Sequence, residues 1–328
     1  MPIELSYLST HFDSKMIIIQ QSQKLSPKAK FVDLQDVQPF VKWLGGKGQL
    51  LPELNKMIPI HFNTYFEPFL GGGALFFYMM SRGMRFDACL SDTNAELITS
   101  YNAIKANPKG VIEVLQKYER KYKGYQPHSK KQQEYYFQLR DARNNNIKSS
   151  NEVEIAALFI MLNKTGFNGG YRVNKKNGFN IPPGYWKNKK GEFINPLICD
   201  SSNLKNVSNV LRHSNAEIQS VGYREILSKA ETNDFVYLDP PYDPVSYTSN
   251  FTAYTPNGFG RENQIQLANV CRKLSNRGCS VLLSNSDTSF IRQLYSDFNI
   301  KEVNVQRAIN CKGSKRAGHK ELLFSNYS

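Results

Sequence analysis

The chain has 328 residues, enough for one large core and an accessory subdomain that needs no partner to bury it. Hydrophobic residues at 40% and charged residues at 21% exclude a disordered chain, and no apolar run approaches the roughly 20 residues of a membrane-spanning helix. Lys and Arg total 42 against 28 Asp and Glu, a net charge of +14 that calls for a polyanion; without a dominant basic amphipathic helix, nucleic acid is favoured over a membrane surface.

Residues 1–37 show weak periodicity and a Lys/Ser/Pro stretch at 24–30, which predicts a loosely structured N-terminal extension. The apolar run 17–19 is too short for a signal peptide, and Glu4 and Asp13 stand where positive charge is required, so a cytoplasmic protein is expected. The cysteines agree with that: five, an odd number, without a C-x-x-C pair, they suit neither a zinc site nor a disulfide framework. His61, His128, His213 and His319 lack metal-like spacing, and no metal is expected.

From residue 38 onward the pattern is α/β. Residues 42–47, Lys-Trp-Leu-Gly-Gly-Lys, fail as a P-loop because Gly48 follows where Ser or Thr is required. Residues 65–77, Tyr-Phe-Glu-Pro-Phe-Leu-Gly-Gly-Gly-Ala-Leu-Phe-Phe, read as a strand end, a glycine loop and a helix start. Gly71 and Gly73 let the backbone approach a ligand, and the helix start offers N–H groups to a carboxylate or phosphate. An apolar strand at 86–90 leads to Asp92, about 20 residues past the loop, where an acid accepts hydrogen bonds from ribose hydroxyls. Loop and acid together specify a nucleoside-type cofactor, and dinucleotide enzymes use the same geometry, although Phe76 replaces their third glycine.

A helix is predicted at 95–105, and then strand–helix alternation stops between 108 and 200. This insert is mainly helical and holds nine of the fourteen excess positive charges. Its segment 152–164 is apolar nearly all round and predicts a buried supporting helix. Residues 163–190 carry seven basic residues and no acid, interleaved with Phe167, Tyr171, Phe179, Tyr185 and Trp186. Such a mixture suits stacking on bases and pairing with phosphates, or else a solvated basic loop with its aromatics in a core.

The apolar strand 235–238 delivers Asp239-Pro240-Pro241-Tyr242 at its carboxyl end, where ligands bind in open α/β sheets. The N6 amine of adenine is a poor nucleophile because its lone pair is delocalised into the ring. The Asp239 carboxylate and the Pro240 carbonyl, aimed at its two hydrogens, would draw it toward tetrahedral geometry. Paired prolines fix that carbonyl in advance, and Tyr242 would stack on a flipped base. A helix at 262–274 and a strand at 279–283 continue the alternation, and strands at 300–306 and 321–326 predict a terminal antiparallel hairpin. Its connecting loop carries Arg307, Lys312, Lys315, Arg316 and Lys320 without an acid, suited to phosphate contact or to a solvated loop.

In order, Lys-Trp-x-Gly-Gly-Lys, Glu-Pro-Phe-x-Gly-Gly-Gly and Asp-Pro-Pro-Tyr resemble the Dam family of DNA adenine-N6 methyltransferases, the D12 class, and particularly its restriction-modification branch. The likeness runs from about residue 38 to the end, and Asn-Phe-Thr-Ala-Tyr at 250–254 and Leu-Ser-Asn-Ser at 283–286 add to it. It implies a Rossmann-like methyltransferase sheet with a C-terminal antiparallel hairpin, formed by 38–107 and 201–328, and a mainly helical target-recognition insert at 108–200. It further implies S-adenosylmethionine as cofactor, double-stranded DNA as partner, and a cognate restriction endonuclease linked only genetically.

By the same resemblance, Trp43, Lys47, Phe69, Gly71, Gly73, Asp92 and Asp239 line the cofactor site, and Asp239, Pro240 and Tyr242 act on the adenine. Lys42, Phe167, Asn168, Arg172 and Pro182 contact DNA: Phe167 as a wedge in the base stack, Arg172 on a guanine, Lys42 on the first guanine. The implied site is GATC; Gly170 and Pro-Gly-Tyr-Trp at 183–186 depart from some members at the outer bases. Two rivals remain: an N-methyltransferase acting on an RNA amine or a protein amide, since Asp-Pro-Pro-Tyr serves planar nitrogens generally, and a DNA-binding module without chemistry.

Overall fold

The computed structural model describes residues 37–146, 150–174, 176–244, 259–305 and 319–328. The expected N-terminal extension, the 250–254 segment and residues 307–318 of the basic loop lie outside them. In chain order the elements are a 3-10 turn (Lys47–Gln49), α1 (Leu51–Asn55), β1 (Thr64–Glu67), α2 (Ala74–Ser81), β2 (Asp87–Ser91), α3 (Ala95–Ala106), α4 (Pro108–Lys123), α5 (Lys130–Asn146) and α6 (Glu152–Thr165). After a second 3-10 turn (Phe167–Gly169) come β3 (Trp186–Lys187), β4 (Phe193–Ile194), α7 (Ser201–His213), β5 (Glu217–Gln219), α8 (Tyr223–Leu227), β6 (Phe235–Leu238), α9 (Arg261–Asn276), β7 (Ser280–Ser286), α10 (Ser289–Leu294), β8 (Asn299–Val305) and β9 (His319–Ser325).

Seven strands make one sheet in the order β5-β2-β1-β6-β7-β9-β8. The first five run parallel, and β9 pairs antiparallel with both β7 and β8, which is the expected terminal hairpin. Because both faces are covered, the central strand β6 is apolar at every position: Phe235, Val236, Tyr237 and Leu238 are all buried. Alternate side chains divide between two cores. Tyr65, Phe235 and Tyr237 face α2, α3, α7 and the insert, whereas Phe66, Val236 and Leu238 face α8, α9 and α10. From β1 the chain first builds outward to β2 and β5, and β6 then joins the other edge of β1. The crevice at the carboxyl ends of β1 and β6 is therefore the topological switch point, where ligands bind in sheets of this kind.

The insert shares the first core. α6 starts at a capping box, with Asn151 and Glu154 bonding each other's backbone N–H, and it buries Ala156 through Asn163 continuously against α3, α4 and α5. At about 1.5–3 kcal/mol for each buried large apolar side chain, this helix anchors everything that follows it. The short β3–β4 hairpin, with Trp186 opposite Ile194, was not expected: two-residue strands carry too little alternation to register. Among the described residues no helix is long and apolar enough to cross a membrane, and no cluster of His, Cys, Asp or Glu could hold a metal ion.

Candidate active site and basic loop

β6 ends where the sequence places its acid. The Asp239 carboxylate receives the Lys47 ammonium at 2.7 Å and the Ser284 hydroxyl at 2.9 Å, and Ser284 in turn lies 3.2 Å from the Tyr237 hydroxyl. Lys47 is buried, donates also to the Gly45 carbonyl at 2.7 Å, and holds its ammonium 4.8 Å from the centre of the Tyr242 ring. Tyr242 is oriented by its hydroxyl, which donates to Glu321 of β9 at 2.8 Å. The turn beyond is clamped to α9 and β7: Gln264 of α9 donates to the Pro241 carbonyl at 2.8 Å, and on β7 Asn285 accepts from the Asp243 N–H and Ser286 donates to the Asp243 carbonyl at 2.6 Å. The Pro240 carbonyl, by contrast, accepts no hydrogen bond among the described residues. One carboxylate and one spare carbonyl thus stand at a rigid corner beside an aromatic ring.

Glu67, the last residue of β1, is also buried there. Burial pushes its carboxyl up to about 8; the Tyr65 hydroxyl, donating at 2.9 Å, opposes this and the charge of Asp239 adds to it. At neutral pH it is therefore protonated, which leaves Asp239 as the carboxylate that Lys47 faces.

On the β1–β2 side, Asp92 accepts from the Gly71 N–H at 3.0 Å and from the Asn94 N–H at 2.9 Å. Burial raises its pKa while these backbone bonds hold it down. Each oxygen keeps a lone pair for a hydroxyl. Gly71 has φ +47, and a Cβ there would lie 2.6 Å from the Trp43 indole; its glycine makes room for that indole, and a ligand benefits only through it. A Cβ on Gly73 would meet the Tyr101 hydroxyl at 2.9 Å, and Tyr101 donates to the Gly71 carbonyl at 3.1 Å, so the loop is packed from behind. Phe69 stacks on Tyr223 with ring centres 5.5 Å apart and meets Phe259 edge-on. Glycines that admit an indole, a flanking aromatic and an acid with spare lone pairs fit a nucleoside with a ribose.

The basic segment of the insert folds back on itself, with bridges between Gly166 and Pro183 and between Val173 and Phe179. Phe167 and Asn168 form its exposed tip, Phe167 with 46% of its surface free and Asn168 in the left-handed conformation that Asn tolerates. Pro182, also exposed, accepts from the Phe167 N–H at 2.9 Å. Asn163, buried on α6, accepts from the Lys42 N–H and donates to the carbonyls of Lys42 and Gly169, each at 2.8–2.9 Å. Gly169 (φ +65) fits because a Cβ would sit 2.5 Å from the Lys42 side chain. Lys42 is thereby fastened to the tip, with its ammonium 5.5 Å over Trp186. Arg172 is exposed and makes its contact separately, with Nε donating to Asn180 at 2.7 Å.

Several of these groups escape sequence reasoning. Glu67 and Ser284 lie inside noticed motifs, yet nothing in a motif says that one is neutral and the other bonds Asp239. Glu321 has no local signal, since it meets Tyr242 only through the pairing of β9 with β7.

Residues 43–309 match the family model described as D12 class N6 adenine-specific DNA methyltransferase. The chain is 41% identical over 299 residues to the type II methyltransferase M.MjaIII of Methanocaldococcus jannaschii, covering 89% of this chain and 100% of that one. It is 39% identical over 293 residues to the type II methyltransferase M1.LlaDCHI of Lactococcus lactis subsp. cremoris, covering 89% and 96%. To the DNA adenine methylase of Escherichia coli K12 it is 33% identical over 285 residues, covering 87% and 93%.

Proposed function

Since the chain belongs to the D12 class of N6 adenine-specific DNA methyltransferases, we propose that it recognises GATC in duplex DNA, uses S-adenosylmethionine, and serves as the modification half of a restriction-modification pair. Methylation of DNA adenine is the family's reaction, so the RNA and protein rivals and the reading without chemistry fall away. The name type II methyltransferase, carried by two relatives, supports the restriction-modification role. Lys42 and Arg172, at the positions that read guanine in the resemblance, support GATC.

The carrying observation is the corner at Asp239. Bound S-adenosylmethionine supplies an electrophilic methyl group; Asp92, Trp43 and Phe69 would hold it, with Gly71 making room for the indole. An adenine flipped from the stack would rest on Tyr242 and give one N6 hydrogen to the Asp239 carboxylate and the other to the Pro240 carbonyl. The Lys47 ammonium and the Ser284 hydroxyl both lie on Asp239 Oδ1, so Oδ2 is the oxygen that the N6 hydrogen would meet. Both acceptors free the nitrogen lone pair, and the proton shed after transfer passes to Asp239, whose oxygen Ser284 steadies. Residues 108–200 would bring Phe167 and Asn168 into the gap left by the base, with Arg172 in the groove and Pro182 beside it.

The test is to express the chain in a host lacking adenine methylation and map N6-methyladenine across its DNA. Methylation confined to GATC is expected. Methylation at another motif would overturn the GATC assignment, and none at all would overturn the reaction.

A further inference from the structure

A guanidinium shut away from water must find partners for all its donors or cost several kcal/mol. Arg143 of α5, with 2% of its side chain exposed, finds them on α3, on the adjacent Asn144 and on the loop that follows α6. It pairs with Glu96 of α3, with Nε 3.1 Å from one carboxylate oxygen and Nη2 on the other. Its Nη1 donates to the Asn177 carbonyl at 2.6 Å, in the far turn of that loop. The next residue, Asn144, grips the same loop at Phe179 through both N–H and carbonyl, at 2.8 and 3.1 Å.

Tyr171 closes the network. Its hydroxyl donates to Glu96 at 3.2 Å and accepts from Arg143 at 3.4 Å. The ring stacks against Trp43 with centres 6.1 Å apart and touches Phe159 and Phe179 on its other sides. Trp43 is the indole that packs into the space left by Gly71, next to Asp92. Glu96 lies in the first turn of α3, whose cap Asn94 bonds Asp92. Arg172 follows Tyr171 directly, is exposed, and donates to Asn180.

We propose that Glu96, Arg143 and Tyr171 are positioning residues that hold the base-reading edge at Arg172 and the cofactor-side indole of Trp43 in one register, so that target choice and cofactor affinity are coupled through them. The proposal rests on the methyltransferase reading of the site. A buried ion pair gives little stability beyond an apolar pair of equal volume, so its own contribution is direction: it fixes where the Tyr171 hydroxyl and the Asn177 carbonyl lie. Coupling is reciprocal, and whatever the cognate duplex does to cofactor affinity the cofactor must do to duplex affinity.

Two variants test this. Tyr171→Phe keeps the ring and deletes the hydroxyl; the double variant Glu96→Leu/Arg143→Met removes both charges together and leaves neither uncompensated. For each, and for the unsubstituted chain, circular dichroism reports folding and methylation of plasmid DNA gives the ratio of the preferred motif to motifs one base away. S-adenosylmethionine affinity is then measured with and without a short duplex carrying the preferred motif. In the unsubstituted chain the duplex is expected to tighten cofactor binding by about fivefold or more. In the double variant that tightening is lost and the sequence ratio falls by about tenfold, with Tyr171→Phe between the two. A folded double variant that keeps both wild-type values overturns the proposal; if it fails to fold, wild-type values in Tyr171→Phe overturn it. Cofactor affinity indifferent to duplex in the unsubstituted chain also overturns it. Absence of any N6-methyladenine from that chain is a different failure, that of the methyltransferase reading itself.

Discussion

The corner at the end of β6 and the basic loop at 166–184 are held in place with different materials. The corner is held by regular structure: parallel strands end at Glu67 and Leu238, and the turn after Asp239 is pinned to α9 through Gln264 and to β7 through Asn285 and Ser286. The loop closes on itself through isolated bridges and a few backbone bonds outside any named strand, and it is also held from outside, by Asn163, Asn144 and Arg143 reaching its backbone from helices. Chemistry demands fixed groups, which a sheet provides; reading demands exposed side chains, and these tolerate a loop only if a few buried polar groups fasten it. Damage to the corner should therefore abolish turnover on every sequence alike, while damage to the loop should blur the choice of sequence.

The sharpest division comes from Asp239→Ala. Removing the acceptor should lower methyl transfer by about 10²–10³-fold or more on any duplex. It also leaves buried Lys47 without its partner, so a companion variant, Lys47→Met/Asp239→Ala, separates lost chemistry from lost stability. Tritium transfer to duplex DNA measures the effect; activity near wild type in a folded single variant would remove Asp239 from the mechanism.

Next in size is Asn163→Ala. Three hydrogen bonds that join Lys42 to Gly169 disappear, at a cost of roughly 2–4 kcal/mol for the buried groups left unpaired. Thermal unfolding should register part of this, and initial rates on cognate and one-base-off duplexes should converge. If stability falls while discrimination survives, the Lys42 attachment serves the fold only.

Smaller and more local, Arg172→Ala should lose about 1–3 kcal/mol at a single base pair. A panel of duplexes varied one position at a time would show the loss at one guanine. Equal losses on cognate and scrambled duplexes would make Arg172 a phosphate contact.

The same division explains what was legible in the sequence. Strands at 86–90, 235–238 and 279–283 follow from runs of apolar residues, because a sheet covered on both faces writes itself as such runs. Asp239 and Asp92 stand where the motifs put them, since both follow directly from strand ends. The partners that set their chemistry were not legible. Ser284 and Glu321 come from strands far along the chain, and the burial that neutralises Glu67 is a property of the assembled core. In the insert, basic and aromatic residues suit a nucleic-acid surface or a solvated loop, but Arg143 and Glu96 look like ordinary helix-surface charges until the helices are packed.

Glu67 offers the mildest probe of the corner, through pH. A carboxyl held at about 8 in the folded chain and near 4.5 when unfolded favours folding while protonated. That preference is complete below about 4.5, is lost as pH climbs toward 8, and changes no further beyond it. Glu67→Gln carries no such dependence. Its unfolding temperature should therefore match the wild type near pH 5 and exceed it by a few degrees near pH 8, with methyl transfer largely kept at neutral pH. A difference that stays flat across that range would mean that Glu67 is ionised in the folded state. Lys47 would then face two carboxylates instead of one, and the assignment of Asp239 as the acceptor that the target amine finds open would lose its electrostatic basis.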